Sequence, residues 1–407
     1  MKTVSDAAVV GGGPCGSFAA YNLARLGFVV TVFEEHHEIG VPSHCPGHLS
    51  IKGLKSLGQY PLGKGIIVNT FTGANLCSPS GKEFSVHLSS PVTCTVDRAS
   101  FDRHLAEMAE HAGAHYQLGS RVDSLIVKDG YVKGVAVRQN GNTEEFLARL
   151  VIDAEGVSSR LLKQSGLNAL DRSMVVNAVQ ARIRNVKDME SNMVEVFLGN
   201  DYAPGFYAWL IPENDDEAKV GLAARTGNPR ELLQRFILKH SIASKKLTSA
   251  KLSQMVFHPI TLGGPIPKSF SNGFLAVGDA ASQVKPTTGG GVIFGMSCAK
   301  IAADVASEAL RANDVSSRSL SEYQKRWTNV WGFDVKTMLR MRKLLNRMSD
   351  ETMDNAINLC RRVGLNKALE GVQEIDFQGQ SLLHFMRSPR MLTTLGYFLY
   401  LYLSINP

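Results

Sequence analysis

The 407-residue sequence lacks the marks of several protein classes. Its six cysteines form no CxxC pair and no zinc-type spacing, so we expect neither a disulfide scaffold nor a metal site, and a reducing, intracellular compartment is favoured. The excess of 44 basic over 37 acidic residues gives only +7, too little to indicate a nucleic-acid partner. Internal repeats and low-complexity tracts are missing, and no cleavable apolar leader is expected before the first strand. The class of protein that these observations leave is a globular chain of two or three packed units.

Long apolar runs are also scarce. The interior has none that could span a bilayer, and the longest apolar stretch, Met391–Ile405, has about 15 residues where a spanning helix needs ~20. Two interpretations of this stretch are open: a buried terminal helix, or an apolar helix that touches lipid. The mild positive charge would suit an anionic membrane surface, so peripheral membrane contact is one expectation.

What the sequence does contain is a strand–turn–helix–strand pattern at its beginning. Ala7–Val10 is apolar, as in a buried parallel strand, and Gly11–Gly16 (GGGPCG) follows at once. Ser17–Leu26 has the spacing of a helix, and Phe28–Phe33 has that of a second strand. This order is typical of a dinucleotide-binding unit.

Each part of the turn has a physical task. Gly11 permits a tight bend, Gly13 lets a pyrophosphate approach the backbone, and Gly16 lets the helix pack closely on the strand. Free N–H groups at the helix start attract phosphates. Glu34, at the end of the second strand, can accept hydrogen bonds from ribose hydroxyls. The pattern predicts a bound dinucleotide without choosing between NAD and FAD, and its predicted contacts are Gly11, Gly13, Pro14, Cys15, Gly16 and Glu34.

Three later segments narrow the choice. Thr95–Gly113 reads as an amphipathic helix, Val151–Arg160 as a strand that runs into a turn, and Phe274–Ala281 (FLAVGDAA) as a buried strand that ends in Gly-Asp. Gly289–Gly291 then precedes another helix pattern. Together with the N-terminal unit, these segments resemble the FAD-dependent flavoproteins that include para-hydroxybenzoate hydroxylase, over residues 1 to about 305.

The resemblance implies further FAD contacts. Asp279 would bond the ribityl chain, and a helix start at Gly290, Gly291 and Val292 would lie near the pyrimidine edge of the flavin. A helix N-terminus stabilises the negative charge that a reduced flavin carries there.

Two more contacts are implied at the other end of the cofactor. Arg98 would lie near the ribityl and pyrophosphate groups, and Val122 would offer its backbone to the adenine. From the residues alone, a surface salt bridge is a serious alternative for Arg98.

Two short stretches resemble the geranylgeranyl reductases, and most of all the archaeal enzymes that saturate the isoprenoid chains of ether lipids. They are Pro42–Gly47 (PSHCPG) and Pro204–Pro212 (PGFYAWLIP). The resemblance implies flavin contacts for Cys45, Pro46 and Gly47, and substrate contacts for Tyr207 and Trp209. Taken by itself, Cys45 is open to three interpretations: a redox thiol, a proton donor or a small packing residue. Likewise, Tyr207 and Trp209 would alternate on one strand face with Phe206 opposite, which ordinary sheet packing would also explain.

The predicted fold is α/β: a Rossmann-like FAD-binding domain with an inserted β-sheet substrate domain and a helical C-terminal region. We expect the FAD-binding domain at 1–175 and 265–305, with part of 60–95 joining the sheet domain at 176–264. The helical region would cover 306–407. Its basic stretch Lys336–Arg347 either borders lipid or is an ordinary solvated helix.

The resemblance implies that reduced FAD delivers hydride to isolated carbon–carbon double bonds of geranylgeranyl chains in archaeal ether-lipid precursors. The proton donor stays open among His44, Cys45, Tyr207 and an ordered water, and Cys45 is the one catalytic candidate. Because a second GxGxxG turn is missing, electrons are expected from transiently bound NAD(P)H or from a reduced protein such as ferredoxin. The expected location is the cytoplasm, at the inner face of the membrane. The alternatives are an FAD-dependent monooxygenase of the same fold and a flavoprotein that passes electrons to quinone.

Overall fold

A computed structural model describes residues 4–371, 374–385 and 389–405. The chain forms two compact units, each assembled from three segments. The first unit comprises Met1–Ser43, Arg98–Ser173 and Thr261–Val335, and the second comprises His44–Asp97, Met174–Ile260 and Lys336–Pro407.

The first unit is built on one mixed sheet. Its centre consists of parallel strands in the order Phe274–Ala276, Asn142–Asp153, Val4–Val10, Val30–Phe33 and His115–Gln117. The antiparallel strands of this sheet are Arg121–Lys128, Tyr131–Gln139 and Phe270–Ser271. In the pairing register the last residues of the parallel strands, Val10, Phe33, Asp153 and Ala276, stand side by side. Ligands of open α/β sheets bind outside this carboxyl edge.

Helices cover the parallel strands. Pro14–Ala24 packs against both Arg98–His111 and Val292–Arg311, with Phe18, Leu105 and Phe294 among the buried side chains. Short 3₁₀ turns occupy Gly156–Ser158, Arg172–Met174 and Gly278–Ala281. The long helix Ser317–Leu345 begins in this unit and its residues from Lys336 onward belong to the second.

The second unit contains a larger antiparallel-rich sheet and a small one. The large sheet has the order Lys251–Leu252, Val175–Arg184, Glu217–Ala224, Ala208–Pro212, Met193–Phe197, Gly73–Cys77 and Glu83–His87, and Val256–Thr261 pairs with Val175–Arg184. The small sheet has the order His48–Ser50, Thr93–Val96 and Ile67–Phe71. One face of the large sheet packs Val179, Leu210 and Val220 against Leu233 and Phe236 of a helix, which leaves the other face for polar side chains.

The remaining helices of the second unit are Ile51–Ser56, Pro229–Lys239, Ala243–Leu247, Asp350–Arg362, Leu365–Leu369, Gln378–Phe385 and Pro389–Ile405. In the last of these, Leu401 is buried with Leu344 and Met353, whereas Leu392 is half exposed. The apolar C-terminal stretch is therefore partly covered by its own unit; the side chains of 402–405 lie outside the described residues. Among residues 4–371, 374–385 and 389–405, no helix combines the length and the apolar character needed to cross a bilayer.

The predicted α/β fold with a Rossmann-like unit is confirmed, and most predicted strands are present with shifted ends. The second strand begins at Val30 rather than Phe28, because the Phe28 N–H still bonds to the Leu23 carbonyl of the preceding helix. The division into FAD-binding, substrate and helical domains at the boundaries given above stays a prediction.

Candidate active site

The glycine turn joins the first strand to the first helix at the carboxyl edge of the parallel sheet. Gly11 has φ +99°, which an L side chain rarely adopts, and a Cβ at Gly16 would lie 1.9 Å from the Gly11 carbonyl oxygen. Both positions therefore require glycine. Pro14 opens the helix at its first position, where its missing N–H costs nothing.

The outer side of this turn has room for a ligand. A Cβ at Gly13 would meet no atom within 4 Å in the protein, so the backbone is open there. The helix Pro14–Ala24 starts at the same place and has no side-chain cap on its first amide groups. Open backbone and uncapped N–H groups at a helix start fit the pyrophosphate of a dinucleotide.

Glu34 lies at the end of the neighbouring strand and faces the turn. Its Oε2 accepts a hydrogen bond from the Gly12 N–H at 2.8 Å, and its Oε1 accepts one from the His36 N–H at 2.9 Å and contacts His36 Nδ1 at 2.6 Å. The carboxylate is thus fixed beside the turn, at the place predicted for a ribose partner.

Gly278 and Asp279, which are more than 260 residues from the glycine turn in the chain, lie against it in space. A Cβ at Gly278 would come within 2.8 Å of Cys15 Sγ, and one at Gly295 would come within 2.6 Å of the same sulfur. The small Cys15 side chain therefore fills the junction between the first helix, the Gly-Asp turn and the helix Val292–Arg311. Burial raises the pKa of the Cys15 thiol, so that it is uncharged at neutral pH.

The helix Val292–Arg311 begins beside Asp279. Gly291 is its N-cap residue, and a Cβ there would lie 2.7 Å from Asp279 Oδ1. Gly290 is packed in a similar way, because its Cβ would lie 2.9 Å from the Lys285 side chain. The structure thus brings Asp279, Gly290, Gly291 and Val292 to one corner of the first unit, next to Cys15.

A hydrogen-bonded chain holds the Gly-Asp turn in place. The Gly278 N–H donates to Gln283 Oε1 at 2.8 Å, Gln283 Nε2 bonds to the Tyr323 hydroxyl at 2.7 Å, and that hydroxyl donates to the Ala276 carbonyl at 3.0 Å. Sequence reasoning missed Gln283 and Tyr323. The sequence carries no signal for them, because most residues around Gln283 and Tyr323 are polar as well.

Arg98 opens the helix Arg98–His111 and forms a two-pronged ion pair with Asp102, with Nη2 at 3.0 Å from Oδ2. The alternative of a surface salt bridge does not describe it, because both side chains are about nine-tenths buried. Burial raises the pKa of Asp279, and the positive charge of Arg98 opposes that rise, so the two groups lie within electrostatic reach. Val122 is buried in the core of the first unit and pairs with Val137 in the sheet. Just before it in the chain, the Gly119 N–H donates to the His36 carbonyl and the Ser120 N–H donates to the Glu34 carbonyl.

In the second unit, the loop around Cys45 lies on the polar face of the large sheet. Gln180 Nε2 donates to the His44 carbonyl at 3.1 Å, and Lys219 Nζ donates to the Pro46 carbonyl at 2.9 Å. Within the loop, the Gly47 N–H points at Cys45 Sγ at 3.4 Å. The His44 ring stacks on His258, with centroids 5.3 Å apart.

The same sheet face carries Trp209. In the strand register Gly221 stands between Trp209 and Gln180, and a Cβ at Gly221 would lie 2.5 Å from the indole ring. Only glycine at 221 lets the indole lie on the sheet there. Trp209 is buried, and its Nε1–H has no hydrogen-bond partner among the described residues.

Tyr207 contacts Trp209 edge-on at 6.0 Å, as two residues of one face should. The expectation that Phe206 points to the opposite face is wrong: its ring stacks on Tyr207 at 4.1 Å. Phe206 still belongs to the preceding turn, because its N–H donates to the Ala203 carbonyl, whereas the Tyr207 carbonyl already accepts the Ala223 N–H of the neighbouring strand; the two-residue alternation therefore applies from Tyr207 onward. Burial raises the pKa of Tyr207 to about 12, and the phenol is therefore protonated at neutral pH.

Arg342 adds a charge beside these aromatics that sequence reasoning did not single out. Its guanidinium lies 4.8 Å from the Phe206 ring centre, and its Nη1 donates to the Gly205 carbonyl at 3.3 Å. Burial lowers the pKa of Arg342 to about 10, which leaves it charged at neutral pH. The basic stretch Lys336–Arg347 is thus not uniformly solvated.

The residues of the first unit fit FAD. Open backbone at Gly13, a fixed carboxylate at Glu34 and the Asp279 corner provide places for the pyrophosphate, the ribose and the ribityl chain of one extended cofactor. The individual contacts stay predictions.

Comparison with known proteins agrees with this geometry. Residues 4–330 match the family described as FAD binding domain. The chain is 33% identical over 374 residues to the digeranylgeranylglycerophospholipid reductase of Methanosarcina acetivorans, which covers 89% of this chain and 90% of that protein. The chain belongs to the digeranylgeranylglycerophospholipid reductase family.

Other members of the digeranylgeranylglycerophospholipid reductase family and one solved structure show the same likeness. The enzyme of that name from Methanocaldococcus jannaschii is 33% identical over 375 residues, with 91% of this chain and 93% of that protein covered. A crystal structure from Thermoplasma acidophilum, described as geranylgeranyl bacteriochlorophyll reductase-like, superposes with a TM-score of 0.85 and 27% identity over 97% of this chain and 99% of that one.

Proposed function

We propose that the chain is an FAD-dependent reductase that saturates the carbon–carbon double bonds of geranylgeranyl chains in digeranylgeranylglycerophospholipids, the precursors of archaeal ether lipids. The observation that carries this proposal is the junction at Cys15, where the glycine turn meets the Gly278-Asp279 corner. That junction brings the two proposed FAD anchors together, the match of residues 4–330 to the FAD binding domain family supports the cofactor, and family membership over about nine-tenths of the chain supplies the substrate class.

The first unit positions the cofactor. FAD, when bound, supplies the hydride. We propose that Gly11, Gly13, Pro14, Cys15 and Gly16 present backbone to the pyrophosphate, and that Glu34 binds the adenosine ribose. The other proposed contacts in this unit are Arg98, Val122, Asp279, Gly290, Gly291 and Val292.

The second unit provides residues for the substrate. Tyr207 and Trp209 offer a buried aromatic surface, which suits an isoprenoid chain because an isolated alkene has no polar group to bind. A protein that reduces such an alkene works by alignment and by exclusion of water. We also propose that Cys45, Pro46 and Gly47 contact the flavin.

A proton must reach the second alkene carbon, and Cys45 is the catalytic residue that we propose for this step. Its thiol accepts the Gly47 N–H in a loop whose flanking carbonyls are held by buried side chains. Tyr207, with a protonated phenol, and His44 are the other candidates on the same unit.

The electron donor that we propose is either NAD(P)H bound transiently or reduced ferredoxin. Only one glycine turn of the GxGxxG type occurs in the sequence, and the residues proposed for FAD occupy it. No second glycine turn is left to form a separate, permanent nicotinamide site.

We further propose that the protein works in the cytoplasm at the inner face of the membrane. Lys336, Arg340 and Lys343 follow a 4-3 spacing on one face of the helix, Arg347 lies in the turn that follows the helix end at Leu345, and all four are exposed. No acidic residue occurs between positions 335 and 349, and in the described part of the chain no salt bridge involves these four cations. Each such cation contributes about 1 kcal/mol near an anionic bilayer.

Anaerobic reoxidation tests the reaction. Protein loaded with FAD and reduced with dithionite should regain its flavin absorbance when a digeranylgeranyl lipid is added without oxygen, and should not when the fully saturated lipid is added. Reoxidation that requires oxygen and yields an oxygenated lipid would identify a monooxygenase instead. Reoxidation by a quinone but not by the lipid would identify an electron carrier.

A further inference from the structure

We propose that Gln180 and Lys219 are positioning residues that hold the loop His44–Gly47 on the sheet and thereby fix the place of Cys45. The inference rests on the proposed function, since it names two residues that serve the same site. Neither belongs to the motifs that mark the FAD cradle or the reductase resemblance.

The first support is where the two contacts lie. Gln180 bonds to the carbonyl of the residue before Cys45, and Lys219 bonds to the carbonyl of the residue after it. The thiol-bearing residue is therefore held on both sides, and its own side chain is left out of the clamp.

The sheet register places the two side chains next to each other on one face. Gln180 is opposite Gly221, and Lys219 precedes Gly221 by two residues on the neighbouring strand, so the two side chains are diagonal neighbours on one face. Such neighbours are about 7–8 Å apart. The two side chains reach the two carbonyls of one short loop from this shared face, and Trp209 fills the space over Gly221 beside them.

The ion network around Lys219 fixes its ammonium group. Lys219 is nearly fully buried and pairs with Glu213 at 3.3 Å, and Glu213 also pairs with Arg182 at 2.9 Å. A buried ammonium needs such a partner, and its remaining N–H groups need acceptors. The Pro46 carbonyl is one of these acceptors, so that releasing the loop would leave a buried donor without its bond.

The chain offers a matched control. Lys246 forms a largely buried pair with Glu195 at 2.6 Å, but it does so on the helix-covered face of the same sheet, away from the loop. In K219M the Glu213 carboxylate keeps its ion pair with Arg182, whereas in K246M the Glu195 carboxylate loses its ion pair with Lys246. The control is therefore expected to be the less stable variant.

The test measures the alkylation of Cys45 by iodoacetamide in FAD-loaded protein, with every cysteine resolved by peptide mass spectrometry. We expect K219M and Q180L each to raise the Cys45 rate by at least about fivefold, the factor that loss of one net hydrogen bond of ~1 kcal/mol gives. K219R, which keeps a cationic donor, should return the rate to within about twofold of wild type, and K246M should leave it unchanged. Rates in K219M and Q180L that both equal the wild-type rate, in protein that melts cooperatively, would overturn the proposal.

Turnover of a digeranylgeranyl lipid then shows whether the position matters. K219M and Q180L should lower kcat with little change in KM, since the loop is misplaced while the aromatic surface for the chain is intact. A freed thiol with unchanged kcat would contradict the positioning role. The alkylation comparison uses no lipid, so a wild-type protein that fails to reduce lipid would refute the proposed function without deciding the clamp.

Discussion

Replacing Glu34 by glutamine tests the cofactor cradle at a single hydrogen-bond acceptor. Glu34 is fixed beside the glycine turn by the Gly12 and His36 amides, with only about an eighth of its side chain exposed. The change keeps the shape of the side chain and removes the negative charge. We expect FAD to bind more weakly to E34Q, because the adenosine ribose loses a charged acceptor.

The size of the effect follows from counting acceptor positions. A carboxylate offers about four lone-pair sites. Gly12 N–H, His36 N–H and His36 Nδ1 use three of them, which leaves one for a ribose hydroxyl. A hydrogen bond to a charged acceptor contributes about 1.5–3 kcal/mol, so Kd should rise by about 10- to 100-fold.

The assay is quenching of flavin fluorescence on titration into the apoprotein. E35Q is the matched control, because it makes the same change at the next residue. Glu35 is exposed, and its ion-pair partners Arg121 and Arg160 are 3.9 and 3.8 Å away. Its Kd should stay within about twofold of wild type. FMN lacks the adenosine ribose, so its affinity should be the same in E34Q and wild type. An E34Q protein that binds FAD as tightly as E35Q does would refute the reasoning.

Three further changes probe other parts of the structure. G13A should melt at the wild-type temperature without FAD, because its Cβ meets no atom within 4 Å, yet bind FAD at least about tenfold less tightly; equal FAD affinity in a calorimetric titration would place the pyrophosphate elsewhere. Burial lowers the pKa of His240 from 6.5 to about 4, so between these pH values the unfolded chain binds a proton that the folded chain does not. The free energy of unfolding should therefore be highest above pH 6.5 and fall by on the order of 2–3 kcal/mol towards pH 4. Urea unfolding should show this loss in wild type and a smaller one in H240N, and parallel curves would contradict it. R340E/K343E should bind anionic vesicles at least about 30-fold more weakly at low salt than K128E/K163E does, and equal sedimentation of the two would remove this helix face from the membrane contact.

The parts of the site that depend on neighbours in sequence were predictable. The glycine turn, Glu34 and the presence of the first helix follow from the residue pattern alone, because backbone conformation and helix dipoles act over a few residues. The helix itself starts at Pro14 and not at the predicted Ser17. The meeting of Cys15 with Gly278 joins distant segments, yet it was reachable through the rule that parallel strands align their carboxyl ends.

The clamp on Cys45 was not predictable in this way. Lys219 stands in a strand-like run where a lysine ordinarily indicates a solvated face, and only the register with Val175–Arg184 places it diagonally from Gln180. Sequence patterns do not give the register between strands that are almost 40 residues apart.

Arg342 lies between these cases. Its position in the helix is out of phase with Lys336, Arg340 and Lys343, which share one exposed face. Counting residues at 3.6 per turn would have separated the buried arginine from these three solvated cations. Its partners, the Gly205 carbonyl and the Phe206 ring, still required the fold.

Mass spectrometry of the lipid tests directly whether the reduced protein saturates geranylgeranyl chains. Digeranylgeranylglycerophospholipid should be incubated anaerobically with FAD-loaded, dithionite-reduced protein, next to the same protein without reductant. We expect the lipid mass to rise in steps of two hydrogens only in the reduced sample. An unchanged lipid mass, with the flavin fully reduced and the lipid bound, would contradict it.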